Sequence, residues 1–350
     1  MNRKMLVTLA PALFMLFAAV GFPAESTDPQ FEKIKSGLYD RAKQEGALVI
    51  YSVWDVEHLV KITQAFSNRF PGIKTTYWQG SNPEIVTRTV AELQAGRSDV
   101  DVILSDNAPP VLRAAGAIMP YETVQKNALI MHDPTMAVVS LQIQALAYNT
   151  KKLKPEEAPK SWENVAETKY AGIVALDDPM RAGPLSTMLA TLKTAWKDDA
   201  RWTAFVKGLK ALKVPTHKST SALFRLVISG EYSIAMPALL HDVMNEKEKG
   251  TPVNFVPTAP PIVFPRQAAI YAKAPHSNAA KLFAEWLITP EGQAAIDSLG
   301  REVARKGIPS RTSIETVFPA GTKPLAPQDK LFLEDPKKWL EVNVKPIWES

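Results

Sequence analysis

The chain contains no cysteine. That excludes a disulfide framework, a thiolate-bound zinc, an iron–sulfur cluster, a cysteine nucleophile and a lipid anchor on an N-terminal cysteine. The five histidines, His58, His132, His217, His241 and His276, show no metal-ligand spacing such as H-E-x-x-H, and no G-x-S-x-G, P-loop or G-x-G-x-x-G is present. Runs of Lys and Arg with interleaved aromatics are missing, which argues against a nucleic-acid partner. Beyond the N-terminus no segment approaches the ~18 uninterrupted apolar residues of a membrane span. No sequence unit repeats at a period of about 20–50 residues. What is present is globular: 350 residues, 46% apolar and 22% charged, a length that allows two domains of about 100–200 residues each.

The first 24 residues read as a signal peptide. Arg3 and Lys4 precede an apolar run from Met5 to Val20, and small residues follow, with cleavage after Ala19-Val20-Gly21 or near Ala24. The alternative is an uncleaved anchor helix. Pro11 inside the run and the lack of a basic stop-transfer flank oppose it. The sequence therefore predicts an exported chain. Losing Arg3 and Lys4 with the leader lowers the formal charge from +5 to +3, so part of the basic excess is an address signal.

From Gly46 onward one theme recurs: a short β-branched apolar run, a polar loop, then an amphipathic helix. Ala47–Tyr51, Ile73–Trp78 and Val100–Leu104 read as strands, with helices between them and loops at 52–55, 79–82 and 105–107. A long strand-like stretch covers 137–149. The theme then restarts at Gly172–Leu176, with a helix at Leu185–Trp196, a helix ending at Gly230, and a strand at Tyr232–Met236. The stretch Val253–Val263 is extended and Pro-rich, Gln267–Ala272 reads as a further strand, and helices cover 278–288 and 290–299. Alternating strands and helices imply parallel sheets covered on both faces, with ligands bound beyond the carboxyl ends of the strands. The predicted fold is α/β with two lobes, each a mostly parallel sheet flanked by helices, joined by two hinge crossings near 138–147 and 253–264. The lobe boundaries are 25–140 plus 262–350 for lobe one and 141–261 for lobe two, with the tail from Ser310 packed on lobe one.

Several segments in this order carry a resemblance: Leu48-Val49-Ile50-Tyr51-Ser52, Ala65-Phe66 with Phe70-Pro71-Gly72-Ile73-Lys74, Ser98-Asp99-Val100-Asp101-Val102, and Ala147-Tyr148-Asn149-Thr150. Pro159-Lys160-Ser161-Trp162-Glu163, Asp178-Pro179, Ala280-Lys281-Leu282-Phe283 and Thr289-Pro290-Glu291-Gly292-Gln293 follow. In this the chain resembles the solute-binding proteins of ABC importers, in the two-crossing group that includes ferric-ion, polyamine, thiamine and phosphonate binders. The resemblance implies a periplasmic protein that captures a small molecule, delivers it to a membrane permease, acts as a monomer and needs neither catalysis nor a cofactor.

The resemblance also frames the ligand. Ferric members carry an adjacent tyrosine pair after the last strand of lobe two, where this chain reads Pro237-Ala238-Leu239-Leu240-His241. They carry a histidine after the first strand, where this chain has Asp55. Asp55 and His241 remain a partial metal set. Helix starts supply the stronger pattern, because their unpaired N–H groups and partial positive charge suit an anion. Arg181 with Gly183 opens the Leu185–Trp196 helix, and Lys218, Ser219 and Thr220 open the next; in lobe one Ser81 and Asn82, and Ser105 and Asn107, do the same. Ordinary capping by Ser, Thr and Asn is the competing account of each. Trp54-Asp55 and Asp106 point the other way, to a cation held by ring and carboxylate as in polyamine binders. Acidic groups in one lobe facing Arg181 and Lys218 in the other suit a zwitterion or an organic anion. The paired Asp177-Asp178 reads as turn structure. The rivals are a ligand-sensing subunit on the same fold and an exported metal-dependent hydrolase.

Overall fold

The computed structural model describes residues 28–97, 99–257 and 259–350. The signal-peptide reading of 1–24 lies outside the described residues. Among the described residues no helix is long and apolar enough to cross a membrane.

In the first half, α1 (Pro29–Glu45) leads into β1 (Ala47–Ser52), α2 (Val56–Arg69), β2 (Lys74–Gln79), α3 (Asn82–Gln94), β3 (Val102–Ser105), α4 (Ala108–Ala114), β4 (Ile118–Met119) and the long β5 (Ala137–Asn149). The second half holds β6 (Val174–Asp177), α5 (Pro184–Trp196), α6 (Asp199–Ala211), β7 (Thr216–His217), α7 (Thr220–Ser229), β8 (Ile234–Leu239), α8 (Leu240–Glu248) and β9 (Val253–Phe255). The chain returns through β10 (Ile262–Tyr271), α9 (Ser277–Ile288), α10 (Pro290–Ser298) and β11 (Glu302–Val303). It ends in α11 (Ile314–Val317), α12 (Lys330–Glu334), α13 (Pro336–Asn343) and α14 (Lys345–Trp348).

The strand order is β2-β1-β3-β10-β5-β8-β6-β7. β1 pairs in parallel with β2 and β3, and β6 in parallel with β7 and β8. The returning strand β10 is antiparallel to β3 and β5, and β5 is antiparallel to β8. Two parallel half-sheets therefore meet at β5 and β10, the two crossings. The second crossing begins later than the 253–264 that the sequence suggests. Pro260 and Pro261 break the chain, and the crossing is β10, which absorbs the strand expected at Gln267–Ala272. Pro265 inside β10 is tolerated beside a register irregularity at Arg266 and Gln267, where a ladder bond is already lost.

One core cluster gathers Phe66, Phe70, Phe283 and Trp286 under α2 and α9, with Phe66 5.1 Å from both Phe70 and Phe283. α1 packs on α9, and Glu45 at its end accepts from the N–H groups of Asn278 and Ala279 at 3.1 and 2.8 Å. A second cluster forms around Met188, Leu189, Trp202 and Val206.

The tail corrects the sequence reading. It starts on lobe one, where Ser310 donates to Asp297, but then crosses to lobe two: Arg311 bonds Asn245 and Glu248 of α8, and Phe318 packs 5.6 Å from Phe255. Phe332, Trp339, Leu340 and Val344 then fill the second cluster, where Trp339 meets Trp202 edge-on at 6.1 Å. The physical reason is apolar: the α5–α6 pair leaves Trp202 and Leu209 in need of cover. Along the way Leu325 pairs with the start of β10, accepting from Val263 N at 2.7 Å, and α12 lies against α4.

Candidate functional site

The loops beyond β1, β2 and β3 converge. Ser52, fully buried, donates to Leu104 O at 2.9 Å and accepts from Trp54 N at 3.0 Å, which turns the chain and drives Trp54 inward. The cation beside Trp54 and Asp55 belongs to the chain itself. The Arg301 guanidinium stands 4.8 Å from the Trp54 ring centroid, and its Nη2 donates to Asp55 at 3.3 Å. Its Nε donates to His58 Nδ1 at 2.9 Å. An arginine N–H only donates, so the imidazole must accept with Nδ1 and stay neutral. Burial and then Arg301 push the His58 pKa down. Burial, and after it Arg266, lowers Arg301 to about 9, which leaves it charged at neutral pH. Asp55 stands at the start of α2 without capping it.

Asp106 is the second node. Its Oδ1 accepts from Asn82 Nδ2 at 2.9 Å and from Asn107 N at 2.8 Å; its Oδ2 accepts from Gln142 Nε2 at 3.3 Å. Asn82 Oδ1 in turn accepts from Ser105 Oγ and from Ala108 N. Asn82, Ser105 and Asp106 thus strap two loops together. Ser81 turns instead to Glu84 in a capping box, and Asn107 makes no side-chain cap bond.

Arg266 and Arg301 are the charged groups that sequence reasoning missed. Each is 5% exposed. Arg266 Nε lies 3.8 Å from Asp106 Oδ2. Gln142 and Gln144 of β5 belong with them, as does Glu302, fully buried and bonded to His241 Nδ1 at 3.0 Å. Burial raises the Glu302 carboxyl, but His241, Arg266 and a backbone hydrogen bond together outweigh it and hold the group below its ordinary range. The signal was available. Ser140, Gln142 and Gln144 alternate along a strand whose thirteen residues are all buried, a polar stripe that packing alone does not call for.

In lobe two the loop after β6 carries an internal anion. Asp177, fully buried, accepts from Arg181 Nη2 at 2.7 Å, from Asp178 N at 3.0 Å and from Leu185 N at 3.3 Å. A carboxylate of the chain therefore stands at the start of α5, beside Arg181. Gly183 fits because a Cβ there would meet the Arg181 guanidinium at 2.9 Å. Asp177 pairs with His217 across β6 and β7, next to Lys218, Ser219 and Thr220. Ser219 caps α7 by accepting from Ala222 N, Lys218 is exposed and Thr220 is buried. His241, at the start of α8, reaches Glu302 and so links lobe two to the Arg266–Asp106 group. Among the described residues no group of three or more His, Asp or Glu is arranged to hold a metal ion.

A family model of bacterial extracellular solute-binding proteins matches residues 61–325. The major ferric iron-binding protein of Neisseria meningitidis serogroup B is 26% identical over 270 residues, covering 73% of this chain and 80% of that protein. The solved structure of iron-bound HitA from Pseudomonas aeruginosa superposes with a TM-score of 0.70 at 19% identity, covering 86% of this chain and 99% of HitA. AfuA from Actinobacillus pleuropneumoniae, with exogenous fructose-6-phosphate bound, gives 0.69 at 20% identity over 86% and 99% of the two chains. At these identities the structural likeness carries the fold.

Proposed function

The chain belongs to the bacterial extracellular solute-binding proteins, and from that membership we propose that it closes two lobes on a small organic anion or zwitterion and delivers it to an ABC permease. The family and fold are those of periplasmic transport proteins with iron-binding relatives, not of enzymes. Binding would shift an open–closed equilibrium, and the closed form would dock on the permease.

The observation that carries the ligand class is the pair of buried guanidinium groups, Arg266 and Arg301, at the junction of the lobes. Buried cations demand counter-charge. Arg301 has the exposed Asp55 and the buried Glu302 beside it, whereas Arg266 has Asp106 at 3.8 Å, a carboxylate already taken up by Asn82, Asn107 and Gln142, and its Nε and Nη1 make no hydrogen bond among the described residues. A ligand anion completes this arrangement. The polyamine reading loses support, because Trp54 and Asp55 already hold Arg301. Trp54, Asp55, Asn82, Asp106, Arg266 and Arg301 would then be the lobe-one contribution, with Arg181, Lys218 and His241 from lobe two.

A ferric cargo is the second reading, favoured by the ferric iron-binding relative from Neisseria. Against it stand the missing tyrosine pair at 237–241 and two arginines that repel a bare cation.

Isothermal titration of the purified chain with gluconate, glycerol 3-phosphate, an aminophosphonate, spermidine and ferric ion decides between them. The proposal expects saturable one-to-one binding of an anion without product formation. Binding of ferric ion or spermidine with no response to any anion contradicts it.

A further inference from the structure

Two buried side chains on one face of the crossing strands have hydrogen-bonding atoms with no partner among the described residues. Arg266, 5% exposed, leaves Nε and Nη1 unpartnered; Gln144, fully buried, leaves both Oε1 and Nε2 unpartnered. The pairing of Ser140 with Arg266, Gln142 with Phe264 and Gln144 with Ile262 sets Arg266, Gln142 and Gln144 on the same face. Arg266 Nε approaches the same Asp106 oxygen that Gln142 bonds, so the guanidinium stands beside Gln142. One strand repeat of about 7 Å then separates Gln142 from Gln144. This face is bounded by the Asp106 loop of lobe one, and β8 of lobe two runs along it with Leu239 opposite Gln144.

Buried polar atoms in proteins are nearly always paired. The two residues ask for different partners. A guanidinium with free N–H groups takes an oxyanion. An amide with both its donor and its acceptor free takes a group that gives and accepts at once, as a hydroxyl does. An ammonium would satisfy only the amide oxygen, a carbonyl only the amide nitrogen, and an alkyl chain neither.

We propose that Arg266 and Gln144 form a ligand subsite that reads a hydroxylated organic oxyanion, a sugar phosphate, sugar acid or hydroxycarboxylate, with the anionic group on Arg266 and a hydroxyl on Gln144. This rests on the reading that the cleft holds an organic anion, and it narrows that reading to hydroxylated members.

The test uses matched ligands on the whole purified chain. Gluconate is compared with hexanoate, and glycerol 3-phosphate with propyl phosphate, by calorimetric titration of the parent protein, Gln144→Met and Arg266→Met. In at least one pair the hydroxylated ligand binds the parent at least about tenfold more tightly. Gln144→Met removes that preference while changing the affinity of the hydroxyl-free partner by no more than about twofold. Arg266→Met weakens both members of the pair by about a hundredfold. Should Arg266→Met fail to fold, the Gln144 comparison decides by itself, because it subtracts two ligands on one protein. A parent that does not discriminate within either pair, or a preference that survives Gln144→Met, overturns the subsite and leaves the anion reading intact. Binding of ferric ion or spermidine alone overturns the anion reading itself.

Discussion

His58 shows how one residue's protonation is tied to the architecture of the site. Its Nδ1 accepts from Arg301 Nε at 2.9 Å, and a protonated ring would turn an N–H toward that donor. Burial and then Arg301 lower its pKa from 6.5. A histidine whose folded pKa lies below its unfolded value contributes stability that is present above about 6.5 and is lost as the pH falls through the folded value. His58→Gln keeps an acceptor that does not titrate. Denaturant midpoints at pH 7.5 and 5 should fall further in the parent protein than in His58→Gln, with the variant within about 1 kcal/mol of the parent at pH 7.5. Parallel losses in the two proteins would contradict this role. The sequence marks Trp54 and Asp55 as a ring beside a carboxylate, and the structure keeps them together. It could not mark their cation, because Arg301 lies 246 positions away from Asp55 and only the fold brings it back.

At the scale of elements, the junction of α9 and α10 explains one of the segments that carry the family resemblance. Thr289 accepts from Gly292 N at 3.1 Å and so starts α10. Gln293, fully buried, donates to Val139 O and Leu287 O, and its oxygen accepts from Ala304 N and Arg305 N. One amide thereby ties α9, α10, the crossing strand β5 and the residues after β11 into a single joint. Gly292 is required because a Cβ would lie 2.1 Å from Trp286 O and 2.7 Å from Leu287 Cα, both backbone atoms. Gly292→Ala should cost about 2–3 kcal/mol in urea unfolding, and a change below about 0.5 kcal/mol would show that the junction yields. Most elements were legible because apolar alternation and helical spacing are local properties. α1 is largely polar and is held by a distant contact, that of Glu45 with the start of α9. α6 carries Trp202, Phe205, Val206 and Leu209 at helical spacing, a pattern legible in the sequence alone. The polar stripe of β5 was equally visible, but its meaning depends on knowing that both faces of that strand are buried.

The whole molecule is two half-sheets joined through β5 and β10, with the C-terminal chain laid across both halves. Residues from Arg311 onward engage α8, the start of β10, α4 and the α5–α6 pair in turn, so this passage accompanies the two strands at the hinge. On the proposed function the halves close on an anion gripped at Arg266. Small-angle X-ray scattering with and without the anion that binds most tightly tests it most directly. The radius of gyration should fall toward the ~20 Å of a compact chain of this length when the anion is added to the parent protein, and should stay constant for a folded Arg266→Met variant at the same concentration. A radius that does not change in the parent while the anion binds, or one that falls equally in the variant, would contradict the account.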